Sequence, residues 1–346
     1  MNPTLYGIFL LGLLTSTLIT MSSNHWLLAW IGLELNTLAV LPLISNPHHP
    51  RATEATTKYF MAQTTASTIV LLAGTITAWH SGQWTISHSS PTLTSILLTA
   101  AIMMKLGAAP LHFWYPDVLQ GTTMLTALVI STWQKLAPLA LLYMILYTTP
   151  PNLLLTLGLI SITVGGWTGL IHTQVRKLMA YSSIGHMGWV LVALVLSPKL
   201  ATMTMAIYLL MTSTIFIILT NTEAKTIMDI GTIWSQAPIQ TTFMALALLS
   251  LGGLPPLTGF APKWLIIKDL TLHHLTPLAT LLALMSLPAL YFYVRLTYFT
   301  MLTTPPTTQT TAALWRLKYT TPLTATWPTT LTIFMLPLSA TLYWTM

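Results

Sequence analysis

Apolar runs of about 20 residues follow one another along almost the whole chain, and this feature limits the fold more than any other. An α-helix needs a run of about that length to cross the hydrocarbon core of a bilayer. Only 5% of the 346 residues are charged, whereas about a quarter of the residues in a soluble domain are. The pattern excludes a soluble fold and predicts an all-α polytopic membrane protein.

About eleven runs are long enough to be transmembrane helices, and together they predict a single membrane domain over residues 1–346. They cover residues 3–21, 25–45, 56–79, 92–118, 122–147, 152–172, 175–197, 199–221, 238–269, 274–299 and 322–345. The polar stretch 302–321 contains PPTTQTT and is predicted to be a surface loop or an interfacial segment.

Basic residues between the runs indicate the orientation, because loops on the side of synthesis are enriched in Lys and Arg. An odd number of spans puts the two termini on opposite sides of the membrane. Eight basic residues then fall on the N-terminal side: Arg51, Lys58, Arg176, Lys177, Lys225, Arg295, Arg316 and Lys318. The other side has Lys199 and Lys268. The bias predicts that the N-terminus lies on the side of synthesis.

Four ionisable residues lie inside the runs, away from their ends: Glu34, Lys105, Lys135 and Lys263. A charge at mid-bilayer costs about 2.5 to 3.5 kcal/mol, so it is normally retained for a transport path or a partner. A structural ion pair between Glu34 and one lysine is the simpler alternative, but one carboxylate cannot balance three lysines. Lysine can lose its proton, whereas arginine stays charged. The set favours proton transfer.

Two histidines, His112 and His186, also fall inside apolar runs and are candidate proton relays. Each could equally form a hydrogen bond between helices. The chain has no cysteine, which excludes thiolate zinc sites and cysteine-ligated iron–sulfur clusters, and it has no Gly-rich phosphate loop. No metal or cofactor site is therefore expected in the chain.

Two of the runs contain helix breakers in the same pattern. Residues 105–117 read KLGAAPLHFWYPD and residues 252–263 read GGLPPLTGFAPK. One glycine, two prolines and one leucine recur 146 positions later, so that Gly107, Pro110, Leu111 and Pro116 match Gly253, Pro256, Leu257 and Pro262. The runs 92–118 and 238–269 are five spans apart and should cross the membrane in opposite directions. This predicts inverted repeats with two broken helices, which in transporters mark the ion path.

Several motifs resemble those of the antiporter-like membrane subunits of respiratory complex I, and the resemblance covers essentially the whole chain. The motifs are WIGLELNTLAVLPLI, KLGAAPLHFWYPDVLQG, TWQKLAPL, QVRKLMAYSSIGHMGW and LGGLPPLTGFAPKW. The resemblance implies a proton channel in which Glu34 pairs with Lys105, Lys135 forms the centre and Lys263 leads to the far side. One departure is span 10, which has no deep ionisable group to match Lys135 and only Arg295 near its end.

The resemblance also implies partners and a location. The chain would be a subunit of an H⁺-translocating NADH:ubiquinone reductase and would have no redox site of its own. NADH, FMN, iron–sulfur clusters and ubiquinone would be bound by other subunits. Its partners would be neighbouring antiporter-like and small membrane subunits and membrane lipids, and no nucleic acid is expected. The location would be the mitochondrial inner membrane, with the N-terminus in the matrix and the C-terminus in the intermembrane space.

Two other functions are compatible with the sequence. A cation/proton antiporter subunit would share the channel residues, but a sodium site calls for several carboxylates and only Glu34 lies deep in a run. A non-conducting membrane scaffold would instead use the lysines to pair with neighbouring subunits.

Overall fold

The computed structural model describes residues 3–86, 91–222, 224–234 and 237–301, together with positions 330, 332, 336 and 343. These residues form helices and no strand, which confirms the all-α membrane fold. The chain divides into two compact units, Met1–Ser161 and Ile162–Met346, and each is described by itself. The predicted segment 302–321 and most of the last run, 322–345, lie outside the described residues. A single membrane domain over 1–346 stays a prediction.

The first unit begins with three long helices and continues with shorter ones. They are α1 (Pro3–Ser22), α2 (Trp26–Ser45), α3 (Pro50–Ser81), α4 (Thr92–Leu106), α5 (Trp114–Gly121), α6 (Met124–Ser131) and α7 (Leu136–Met144). Short 3₁₀ turns over Trp133–Lys135 and Leu146–Thr148 flank α7. The next helix, α8 (Pro151–Ile171), begins in the first unit and ends in the second.

The second unit continues with α9 (Val175–Leu196), α10 (Pro198–Thr222), α11 (Ile227–Ile233), α12 (Pro238–Gly252), α13 (Phe260–Leu272) and α14 (Thr276–Thr300). Helix α11 lies between two of the predicted spans and was not itself predicted. Its start is fixed by a capping box, in which the Thr226 amide donates to Asp229 Oδ2 at 2.8 Å and the Thr226 hydroxyl accepts from the Asp229 amide.

Eight helical segments in the described part of the chain are long and apolar enough to cross a membrane. They match eight of the predicted spans, and the two spans predicted to be broken are each a pair of shorter helices. The start of the third span was wrong, because α3 begins at Pro50 and not at residue 56. His49 caps the helix and proline suits its first turn. Lys58 therefore lies in a helix rather than in a loop.

In the threonine-rich helices, hydroxyl groups bond to carbonyls of the preceding turn. Thr64 Oγ1 donates to the Phe60 carbonyl and Thr212 Oγ1 to the Tyr208 carbonyl, each at 2.8 Å. Each of these bonds satisfies a hydroxyl group that would otherwise be unpaired in lipid. Threonine in these runs is thus compatible with membrane-spanning helices.

The first helices of the two broken spans begin and end at equivalent positions, 146 residues apart. Helices α4 and α12 each have 15 residues, and both their starts and their ends are 146 positions apart. Each ends at a glycine in the left-handed region, Gly107 at φ 69° and Gly253 at φ 83°, where a side chain would be strained. Helices α5 and α13 then begin at 114 and 260, again 146 apart. That the two copies run in opposite directions stays a prediction from the span count.

Candidate functional site

Two buried lysines of the first unit line one small cavity. The exposed fraction of Lys105 is 5% and that of Lys135 is 2%. The cavity measures about 10 Å³, and Thr37, Gln63 and Tyr115 also line it. That volume is about what a single water molecule needs, and the lining offers several polar atoms to bind one.

Local breaks in the helices position both lysines. Lys105 lies in the last turn of α4, and its Nζ donates to the Gln63 carbonyl at 3.4 Å. Lys135 ends the 3₁₀ turn between α6 and α7, and its Nζ lies 5.2 Å from the centroid of the Tyr115 ring. This distance allows a cation–π contact. Tyr115 packs on Gly107, where a Cβ would lie only 3.1 Å from the ring, so the glycine admits the ring beside the helix end.

Glu34 lies half-buried in α2, and hydroxyl groups hold its carboxylate. Ser67 Oγ donates to Oε1 at 3.0 Å and Thr37 Oγ1 to Oε2 at 3.1 Å. Within the described residues, the ion pairs join Lys58 to acidic side chains and none joins Glu34 to Lys105. Thr37 also lines the lysine cavity. Thr37 therefore contacts the Glu34 carboxylate and also lines the cavity of Lys105 and Lys135.

Two amide side chains in the same cavity were missed by the sequence analysis. Asn36 Nδ2 donates to Gln134 Oε1 at 2.7 Å, which ties α2 to the 3₁₀ turn. Both residues line the cavity with Lys105 and Lys135. Their sequence positions carried a signal, because Asn36 follows Glu34 by two residues and Gln134 directly precedes Lys135 in otherwise apolar runs.

His112 lies in the break between α4 and α5 and is 6% exposed. Its ring stacks on that of Phe113, with 4.5 Å between the centroids. It is not among the residues that line the lysine cavity. His112 is therefore buried and close to Lys105 in sequence, but it does not line the cavity of Lys105 and Lys135.

In the second unit, Lys263 reaches back across the break between α12 and α13. Its Nζ donates to the carbonyl oxygens of Gly252 at 2.9 Å and Leu251 at 3.2 Å. These carbonyls lie at the C-terminal end of α12, where the helix dipole favours a cation. Leu251 is also the residue that corresponds to Lys105, 146 positions earlier. In both units, a lysine is thus associated with the end of the first half-helix.

His186 of α9 and Lys263 line two cavities together, each of about 20 Å³. The His186 Nε2 atom lies 3.4 Å from the Tyr293 hydroxyl of α14, and Tyr293 is only 1% exposed. The prediction that span 10 has no deep ionisable group is therefore incomplete. A phenol is neutral at physiological pH and does not register as a charge in the sequence, yet it can pass a proton through its hydroxyl group.

In the first unit, Asp117 is the residue that corresponds to Lys263, and it belongs to a charged cluster at the surface. Lys58 Nζ lies 2.7 Å from Asp117 Oδ2 and 2.8 Å from Glu54 Oε1, and all three side chains are exposed. With Arg51 they line a cavity of about 180 Å³. Exposed ion pairs contribute little to stability, typically less than about 1 kcal/mol. The two broken spans therefore share their backbone but differ in charge at this position.

No group of three or more His, Asp or Glu side chains that could hold a metal ion is found in the described part of the chain. The full sequence also has no cysteine.

Comparisons with known proteins agree on one family. Residues 23–288 match the family model described as NADH:quinone oxidoreductase/Mrp antiporter, TM, and residues 290–343 match NADH dehydrogenase subunit 2 C-terminus. NADH-ubiquinone oxidoreductase chain 2 of Tetraodon nigroviridis is 49% identical over 98% of this chain and 97% of its own length. The Aquarana catesbeiana protein of that name is 49% identical over 99% of both chains.

Two solved structures share the fold. A chain of respiratory complex I from Thermus thermophilus matches 98% of this chain and 77% of its own length, with a TM-score of 0.84 and 24% identity. A chain of the Mrp complex from Dietzia sp. matches 86% of this chain and 61% of its own length, with a TM-score of 0.79 and 15% identity.

Proposed function

The chain belongs to the family of NADH-ubiquinone oxidoreductase chain 2, and we propose from this premise that it is a core membrane subunit of complex I that moves protons through buried Glu, Lys and His side chains and water. The observation that carries the proposal is the pair of buried lysines, Lys105 and Lys135, around a cavity of the size of one water. Burying two ammonium groups this deeply is costly, and the cost is compatible with a transport role.

The residue roles follow from the contacts in each unit. Lys105 and Lys135 would take and release the proton. Glu34 would influence the protonation of these two lysines through Thr37. In the second unit Lys263 would act with His186, which lines the same two cavities. His112 would be a further relay in the first break, although it is not in the cavity wall.

The energy scale fits a switch in lysine environment. Moving one proton against the membrane potential costs about 2.3 kcal/mol per 100 mV. A hydrogen bond to a charged group contributes about 1.5 to 3 kcal/mol. Breaking or forming one such contact around a lysine is therefore of the size needed to load or release a proton. The free energy would come from redox chemistry in other subunits of the complex.

The proposal places the chain in the mitochondrial inner membrane, with its N-terminus in the matrix and its C-terminus in the intermembrane space. NADH, FMN, iron–sulfur clusters and ubiquinone would be bound by partner subunits, and the chain itself would have no redox site. Neighbouring antiporter-like and small membrane subunits would cover its exposed apolar helix faces.

The test replaces Lys135 with methionine, which has a similar length and no charge, in the assembled complex. We expect Lys135→Met to assemble and oxidise NADH but to pump fewer protons per electron pair. Lys199→Met is the matched control, because Lys199 lies exposed at the start of α10. Protons pumped per NADH oxidised are measured in liposomes containing the complex.

The alternatives make different predictions. Unchanged pumping by an assembled Lys135→Met complex would favour the scaffold function. Sodium-dependent transport in liposomes containing only this chain would favour the antiporter function.

A further inference from the structure

We infer that Asn36 and Gln134 form an amide pair that holds one ordered water between Lys105 and Lys135, and that this water passes the proton from one lysine to the other. The water site stands on the geometry of the amides and the cavity. Its part in proton transfer rests on the proposed function. Asn36 and Gln134 act as positioning residues, because they orient the water and do not themselves take up a proton.

After the bond between the two amides is counted, one acceptor atom and one donor atom remain for a further partner. Each side-chain amide has an NH₂ group and a carbonyl oxygen. One bond, Asn36 Nδ2 to Gln134 Oε1 at 2.7 Å, uses one group of each. Asn36 Oδ1 and Gln134 Nε2 are buried and have no hydrogen-bond partner in the described part of the chain. Leaving such groups unsatisfied costs about 1 to 3 kcal/mol each.

One water molecule could bond to both remaining amide atoms. It can donate to Asn36 Oδ1 and accept from Gln134 Nε2, which leaves it one further donor and one further acceptor site. The cavity lined by both amides and both lysines measures about 10 Å³. A buried water needs roughly 10 to 15 Å³ and two to four polar partners. The cavity is thus the right size for one water and too small for a chain of several.

The free sites of that water suit a hand-over between two lysines. A lysine ammonium group can only donate, and a neutral lysine amine can accept. The protonated lysine would donate to the water oxygen while the water donates to the neutral amine. As the ammonium N–H bond breaks, a new O–H bond forms, and the water's own O–H proton bonds to the amine. The total charge is unchanged, and the water is regenerated.

The amide pair also links the water to the backbone at two places. Asn36 lies in α2, and Gln134 lies in the 3₁₀ turn that ends at Lys135. A small shift of that turn would move Gln134 and Lys135 together and change the water's contact with the lysine. The residues are 98 positions apart in sequence, so only the packing of α2 on this turn creates the site.

The first test is a structure of the wild-type complex at a resolution that shows ordered water. We expect one water within about 3.2 Å of both Asn36 Oδ1 and Gln134 Nε2. A map with no water there, or with both atoms bonded to protein groups, would overturn the inference. This measurement needs no variant, so it holds even where a substitution prevents assembly.

The second test uses Gln134→Leu and Asn36→Leu in the assembled complex, with Gln240→Leu as the matched control. Gln240 is another buried glutamine whose amide has no partner in the described residues, and it lies in the second unit. We expect pumping-coupled turnover to fall about tenfold in the first two variants, since each removes a contact of the water. We also expect the solvent deuterium isotope effect to rise, which a purely structural defect would not produce.

The two proposals can fail separately. A water at the amide pair together with normal pumping by Lys135→Met would contradict the proposed function and leave the water site standing. Loss of pumping in Lys135→Met with no water in the wild-type map would contradict this inference alone. Gln134→Leu and Asn36→Leu complexes with normal turnover and a normal isotope effect would also overturn it.

Discussion

At the scale of single residues, hydroxyl groups and backbone carbonyls bond to two of the deep ionisable side chains, Glu34 and Lys263. Glu34 accepts from Ser67 and Thr37, and Lys263 donates to two carbonyls at the end of α12. Within the described residues, these bonding partners are neutral groups.

Tyr293 gives a prediction at this scale, because its hydroxyl oxygen lies 3.4 Å from Nε2 of His186. We expect Tyr293→Phe to cost about 1 kcal/mol of stability and to lower the number of protons pumped per NADH oxidised. Tyr298→Phe is the control, since Tyr298 lies in the same helix and is 65% exposed. Equal pumping by the two variants in liposomes would rule out a relay role for Tyr293.

At the scale of elements, the two breaks bring backbone polar groups into the bundle. Each break ends a helix at a glycine with positive φ and exposes carbonyls that the regular helix would use. In the second unit, Lys263 takes up two of these carbonyls. The broken helix and the partly buried Lys263 therefore stabilise each other, because the ammonium group donates hydrogen bonds to carbonyls that the break leaves unpaired.

Gly253→Ala tests that coupling. A Cβ at Gly253 would lie 2.9 Å from Lys263 Nζ, in addition to the strain of φ 83°. Gly82→Ala is the matched control, because Gly82 has φ 70° and its Cβ would have nothing within 4 Å. We expect both to cost about 1 kcal/mol in thermal stability, and only Gly253→Ala to reduce pumping. If Gly82→Ala reduced pumping as much, backbone strain alone would explain the effect.

At the scale of the whole molecule, each of the two units contains one broken span, and the two broken spans differ in their charged residues. The half-helices recur with a spacing of 146 residues, but Asp117 pairs with Lys58 at the surface where Lys263 turns toward the break. The repeat therefore conserves the backbone interruption and not the ionisable side chain. The orientation of the chain in the membrane belongs to the same scale.

Sidedness can be measured with single cysteines, because the chain has none of its own. Thr53 and His80 are exposed near opposite ends of α3. We expect an impermeant maleimide to label His80→Cys in mitochondria stripped of their outer membrane, and to label Thr53→Cys only after permeabilisation. The reverse pattern would contradict the orientation predicted from the basic residues. Each variant is the control for the other.

Hydropathy and residue type alone determined the membrane class, most span ends and both breaks. The length of a spanning helix is set by the bilayer, and glycine and proline interrupt helices by their own geometry, so neither depends on distant contacts. The predicted span 25–45 differs from α2 by one residue, and the run 238–269 contains the whole of α12. The early start of α3 was missed because its first turns are polar.

Only the tertiary structure decided which polar groups meet. Asn36 and Gln134 are 98 positions apart, and His186 and Tyr293 are 107 apart. Hydropathy does not specify these pairs, because a helix face toward lipid and a face toward the bundle are both apolar. The rotation of each helix about its axis, set by close packing of side chains, places Asn36 and Gln134 in one cavity with Lys105 and Lys135.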